Sequence, residues 1–164
     1  MVCREWVVRI EAAAAEVGGL LVGVPEDAWL DVAEGSWTAK DVVGHLAAWS
    51  DLLMDGVEAL VQNRADDVQI VDIDAWNADQ IAALRDWTVA QVRSAWEEAL
   101  TRALCLASQL SPDEMSRPRP APWTEGPTSP SDVFDLWLLH VEQHCAGLAA
   151  WQARNRFVVP ASAG

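Results

Sequence analysis

The chain is short of the side chains that several common roles require. Lysine and arginine together number 11 against 25 acidic residues, and Lys40 is the one lysine. The resulting net charge of -14 repels a phosphate backbone, whose binding needs clustered cations to displace counterions, so neither nucleic acid nor an anionic membrane is an expected partner. Cysteine is equally scarce. Cys3, Cys105 and Cys145 are too few and too scattered for a disulfide framework, and an odd count fits free thiols in a reducing compartment. No stretch approaches the roughly 18 uncharged apolar residues of a membrane span, and the N-terminus lacks the ordered charged, apolar and small-residue regions of a secretory signal. A cytoplasmic protein is expected. Tyrosine is missing altogether and phenylalanine occurs twice, so the aromatic content falls on ten tryptophans, which sit at helical spacing from other apolar residues and read as core or cavity lining. One lysine in an alanine-rich chain points to a GC-rich bacterial genome.

What is present is a helical pattern long enough to bury a core. At 164 residues, 51% of them hydrophobic, the chain fits a single domain over 1–156 with a flexible tail at 157–164. Trp6, Ile10, Ala14, Val17 and Leu21 recur at helical spacing in a first helix from Arg4 to about Val22. The acidic segment from Pro25 to Ser36 reads as a connector. Thr38 with Asp41 has the form of a capping box and starts a second helix near Ala39 that runs to about Asn63. A short helical segment spans Asp74 to Leu84. Thr88 with Gln91 caps a third long helix that runs from Val89 to about Leu110. Pro112 to Pro130 holds most of the prolines and is expected to be a long irregular crossover. Ser129, Pro130 and Asp132 then supply N-cap, first-turn proline and N3 acid for a last helix reaching about Asn155. No β alternation of useful length occurs. The fold class is therefore all-α, a four-helix bundle with a long crossover loop before the last helix.

The chemistry centres on three histidines, the whole complement of the chain. His140 and His144 are four positions apart, which sets them about 40° apart and one turn above each other on a helix, so both imidazoles can reach one point. His45 lies on the apolar stripe of the second helix and can supply a third ligand. Three neutral imidazoles suit a divalent ion such as zinc or nickel and leave a position open for water or substrate. Each histidine alone also fits a satisfied core residue, and it is the three together that favour a metal. Cys145 adjoins His144 but points about 100° away on the helix, and it reads better as a small buried residue than as a fourth ligand. Asp135 and Glu142 fit either acceptors behind the ligands or a solvated helix face. Trp49, Trp76, Trp137 and Trp151 are candidates for the walls of a substrate pocket, with ordinary core as the alternative. Asn77 is a candidate polar handle for substrate, though a helix-start role comes first. No catalytic residue beyond the triad can be named.

The run Trp37-Thr38-Ala39-Lys40-Asp41-Val42-Val43-Gly44-His45-Leu46-Ala47-Ala48-Trp49 resembles the second-helix signature of the DinB-like superfamily. His140-Val141-Glu142-Gln143-His144 is similar to that superfamily's last-helix ligand pair. Ala75-Trp76-Asn77-Ala78, followed by Leu84-Arg85-Asp86-Trp87, resembles the ClbS/DfsB branch. The resemblance covers about Trp29 to Trp151, and it also relates the chain to the N-terminal domain of mycothiol-dependent maleylpyruvate isomerase. It implies a DinB/YfiT-like bundle with an open metal site at His45, His140 and His144, and related bundles are often homodimers. It further implies a metal-dependent enzyme that activates a low-molecular-weight thiol of the mycothiol type, or a water, against an electrophilic small molecule in a detoxification or stress role. Thiol S-transferase, isomerase and hydrolase activities all fall within it. The ClbS-like alternative is a protective protein that binds or opens a toxic small molecule without needing the metal.

Overall fold

Three of the four long helices begin where a side chain satisfies their orphaned backbone donors. In the computed structural model, which describes residues 4–68 and 72–155, four long helices form the bundle: α1 (Arg4–Leu21), α2 (Ala39–Val61), α4 (Val89–Gln109) and α6 (Pro130–Asn155). A shorter α3 (Ile73–Ala83) lies between α2 and α4 in the chain, and α5 (Pro112–Ser116) lies between α4 and α6. Thr38 Oγ1 accepts from the Asp41 amide while Asp41 accepts from the Thr38 amide, a reciprocal box that starts α2. Thr88 with Gln91 does the same for α4, and Ser129 with Asp132 for α6. The expected flexible tail at 157–164 lies outside the described residues.

Packing follows a crossed order. Both α1 and α2 pack against α4 and α6, so helices consecutive in the long-helix order, α1 with α2 and α4 with α6, face each other across the bundle. This order brings α2, with His45, directly against α6, with His140 and His144. Trp29, Trp137, Trp151, Phe134, Ile10 and Leu46 fill the core between them. Trp137 is fully buried, donates its indole N–H to Ser50 Oγ at 2.6 Å and stacks on Trp96. Among the described residues no helix is long and apolar enough to cross a membrane.

Two connections are more ordered than their sequence suggests. The expected connector from Pro25 to Ser36 carries a 3-10 turn at Asp27–Leu30 and the first strand of a small antiparallel hairpin, β1 (Val32–Glu34) with β2 (Trp37–Thr38). Gly35 turns the chain at φ 56°, a left-handed conformation that glycine adopts without steric cost. With two or three residues per strand there is no room for an alternation that a sequence reading can detect. The proline-rich crossover is likewise folded onto the bundle through α5, whose Met115 is buried, and is closed on itself by a bridge that pairs Arg119 with Thr128. Proline stops the long helix, and Ser111 with Glu114 then caps a new short one.

The short helix α3 stands apart from this core, because none of its residues is buried. Its far end is held by Lys40, a nearly buried ammonium that donates to the carbonyls of Leu84, Arg85 and Trp87 at 3.2, 3.1 and 2.9 Å. All three of its protons are thereby satisfied, which a buried charge requires.

Candidate metal centre

His45 is delivered by α2 and His140 with His144 by successive turns of α6, so the crossed packing that joins these two helices also joins the three rings. Ring centroids lie 5.0 Å apart for His45–His140, 5.0 Å for His45–His144 and 4.7 Å for His140–His144. One potential ligand atom from each residue lies within 4.8 Å of the others, the one such histidine, cysteine or carboxylate cluster among the described residues. The closest approach is between His45 Nε2 and His140 Nε2, at 3.0 Å. Two ring nitrogens turned toward each other must share a proton or a cation, since two facing lone pairs repel. No cysteine or carboxylate belongs to the cluster, and an all-imidazole donor set suits zinc and its first-row neighbours. These residues fit a divalent ion.

Electrostatics keep the set competent to bind. Burial pushes the pKa of His45 down to about 3, reinforced by the neighbouring His140 and His144. His140 is pushed down to about 4, first by burial and then by His144. Both rings are therefore neutral at pH 7, the form that offers a lone pair to a metal. His45 Nδ1 is buried and has no hydrogen-bond partner, so its imidazole is held by packing against Trp37 and Trp49 instead. His144 is anchored differently: its Nδ1 lies 2.8 Å from Glu34 Oε2, which leaves Nε2 as its free donor.

The histidines open into a cavity of about 410 Å³, lined by Glu34, Gly35, Ser36 and Trp37 of the hairpin, by Asn77 of α3, and by the three rings. Asn77 sits inside α3 rather than at its start, where Asp72 is the cap, and its side-chain oxygen accepts from the Trp49 indole at 2.9 Å. Trp49 packs against His45, His140 and the edge of Trp76. Trp76 faces a separate hollow between α2 and α3, with Ala47, Asp51 and Trp87. Trp137 is not brought to the cavity; its ring belongs to the core. Cys145 is buried, and desolvation pushes its thiol up to about 11, so it stays protonated and is a poor ligand. Asp135 pairs with Arg9 rather than with a histidine.

Two residues of the site could not be picked out from the sequence. Glu34 and Trp37 enter through the hairpin, whose strands are too short to signal themselves, and Glu34 was one acid among 25. Trp37 does adjoin a clear capping box, but a tryptophan before a helix also fits a packing role. It lies stacked on His144 at 6.2 Å.

The sequence matches the model of the DinB superfamily over residues 9–147. YfiT from Bacillus subtilis, whose structure is described as that of a probable metal-dependent hydrolase with an unusual four-helix bundle topology, superposes with a TM-score of 0.75 at 17% identity, covering 95% of this chain and 89% of YfiT. An uncharacterised protein from Escherichia coli UTI89 superposes with a TM-score of 0.76 at 11% identity over 96% of each chain. The mycothiol-dependent maleylpyruvate isomerase gives 0.72 at 16% identity over 90% of this chain, which spans 61% of that enzyme. At such identities the superpositions establish a shared fold. No curated protein matches the chain by sequence.

Proposed function

The chain belongs to the DinB superfamily, and from that membership we propose that it is a metal-dependent enzyme in which His45, His140 and His144 hold one divalent ion, zinc or nickel. Held there, such an ion would activate a low-molecular-weight thiol of the mycothiol type, or a water, against an electrophilic small molecule in detoxification. The observation that carries this reading is the convergence of three imidazoles from two helices beside a cavity. Two superposing proteins, one described as a probable metal-dependent hydrolase and one as mycothiol-dependent, support the choice of chemistry.

When bound, such an ion supplies Lewis acidity, which lowers the pKa of a water or thiol and polarises a carbonyl. The chain's own residues do the rest. Burial keeps His45 and His140 unprotonated near neutral pH, so the donor atoms need no deprotonation before binding. Trp37 and Trp49 wall two sides of the rings and limit water around them. Asn77, fixed by Trp49, keeps its amide nitrogen as a donor at the cavity wall, where it orients a substrate carbonyl or carboxylate. Trp76 braces Trp49 from behind.

A sequestering role without turnover is favoured by one feature: apart from the histidines, Glu34 is the cavity's one ionisable side chain, and it is already bonded to His144. The two readings separate in one experiment. Protein purified without a metal-affinity tag is analysed for metal, then assayed for conjugation of mycothiol-type thiols to an electrophile with and without chelator. Catalytic turnover that chelation abolishes and added metal restores supports the enzyme. Protection that is stoichiometric and survives chelation overturns it in favour of sequestration.

A further inference from the structure

We propose that Glu34 is a positioning residue of the histidine centre, holding His144 in the Nδ1–H tautomer and aiming its Nε2 at the other two rings. This rests on the reading that the three histidines hold one ion. Glu34 Oε2 lies 2.8 Å from His144 Nδ1. A carboxylate can only accept there, so the neutral ring must carry its proton on Nδ1, and the lone pair is left on Nε2. A carboxylate bonded to the outer nitrogen in this way fixes a ligand's orientation and raises its basicity.

Three independent features show that the contact is built into the fold. First, the strand that bears Glu34 is clamped to the ligand helix at a second point, where Arg154 of α6 donates to the Ala33 carbonyl at 3.0 Å. Second, the chain turns at Gly35 with φ 56°, which returns Trp37 to stack over a face of the same imidazole. Third, α6 carries a glycine one turn beyond His144, at Gly147. A methyl group there would stand 2.6 Å from Glu34 Oε2 and 3.0 Å from its Cδ, so the absent side chain is the space that the carboxylate occupies. A glycine inside a helix is otherwise unfavourable. The hairpin thus gives His144 an acid at Nδ1 and an aromatic ring over its face.

Gly147→Ala separates this role from simple support. Its methyl displaces the far end of a flexible carboxylate, has its three nearest neighbours all in Glu34 and improves helix propensity. It should therefore weaken metal binding without lowering the melting temperature of the metal-free protein, whereas a structural contact would lose both together.

The test uses the full chain, stripped of metal and titrated with Zn2+ against a chromophoric competitor, alongside nitrogen-15 NMR of the histidine tautomers in the stripped protein. The wild type should bind about one equivalent, and Glu34→Ala and Gly147→Ala should each bind about 10–100-fold more weakly. His144 should be the Nδ1–H tautomer in the wild type and lose that preference in Glu34→Ala, which leaves no side-chain acceptor at Nδ1. Wild-type affinity in both variants, or an unchanged tautomer without the carboxylate, overturns the role of Glu34 and leaves the metal reading standing. A wild type that binds no Zn2+ overturns the metal reading itself, and the assignment of Glu34 to the ion with it.

Discussion

Replacing His45 with alanine should remove most of the thermal stabilisation that a divalent ion gives to this protein. The triad joins α2 to α6 and exists only when the two helices are packed, so an ion bound there stabilises the folded state alone. At a free concentration one hundred times Kd the gain is about 2.7 kcal/mol. For a domain of this size each kcal/mol moves the melting temperature by roughly 2–4 °C, so Zn2+ or Ni2+ should raise the wild-type midpoint by about 5–11 °C. His45 is 2% exposed, and its removal leaves a cavity that costs about 2–4 kcal/mol by itself. The useful quantity is therefore the difference between midpoints with ion and with chelator, measured separately for each variant, because the cavity cost cancels. What remains after the substitution is an i, i+4 pair on one helix. Each tenfold loss of affinity removes about 1.4 kcal/mol of binding, so a hundredfold loss cuts the gain to about 0.4 kcal/mol at the same ion concentration, a shift of about 1–2 °C. Mg2+ is the control, since it prefers oxygen ligands and reports any effect of the -14 surface. A His45→Ala protein that keeps the full Zn2+ shift, or full metal occupancy, would refute the convergence of the three residues.

Three further outcomes follow from the same geometry. Ser50→Ala leaves the Trp137 indole N–H buried without its 2.6 Å partner and should cost about 1–3 kcal/mol while the Zn2+ shift stays intact; a lost shift would place Trp137 at the site rather than in the core. Lys40→Met removes three bonds to the carbonyls of Leu84, Arg85 and Trp87, at a cost on the order of 3 kcal/mol, and amide exchange should quicken first around these residues; uniform exchange would contradict the tether. In the metal-free protein His45 and His140 titrate near 3 and 4 when folded, against 6.5 in the unfolded chain. The unfolded chain thus takes up protons first, so stability is complete above about pH 6.5 and declines as the pH falls toward 4. Urea midpoints at pH 7.5 and 5.5 in the presence of chelator measure this, and a decline that persists unchanged in His45→Gln/His140→Gln would assign it elsewhere.

Helix positions were legible because they depend on local chemistry. The boxes at Thr38–Asp41, Thr88–Gln91 and Ser129–Asp132 are made by residues three apart, so the starts of α2, α4 and α6 could be read to the residue. The pairing of His140 with His144 was legible for the same reason, since helical periodicity alone places them together. Asn77 was harder to place: asparagine commonly opens helices, but Asp72 had taken that position, and the partner that decides its role, Trp49, is 28 residues away. Trp137 shows the converse limit. Its position on the same stripe as the ligands is correct, yet a stripe that runs from Val133 to Trp151, about five helical turns, passes from cavity to core, and only the depth of packing against Trp96 and Ser50 separates the two.

By itself the sequence determined the helices, their inward faces and the set of three histidines, because period, caps and donor chemistry are properties of neighbouring residues. The tertiary structure alone decided that α2 lies against α6 rather than against α1, which turns two histidines and one into a single cluster. It also decided that a five-residue pair of strands, closed at Gly35, sets Glu34 at the Nδ1 of His144 and Trp37 over its ring. The contact between Glu34 and His144 spans 110 residues, and its clearance depends on a glycine in a third place, Gly147. Packing order and shape set such relations, and no local pattern in the chain records them.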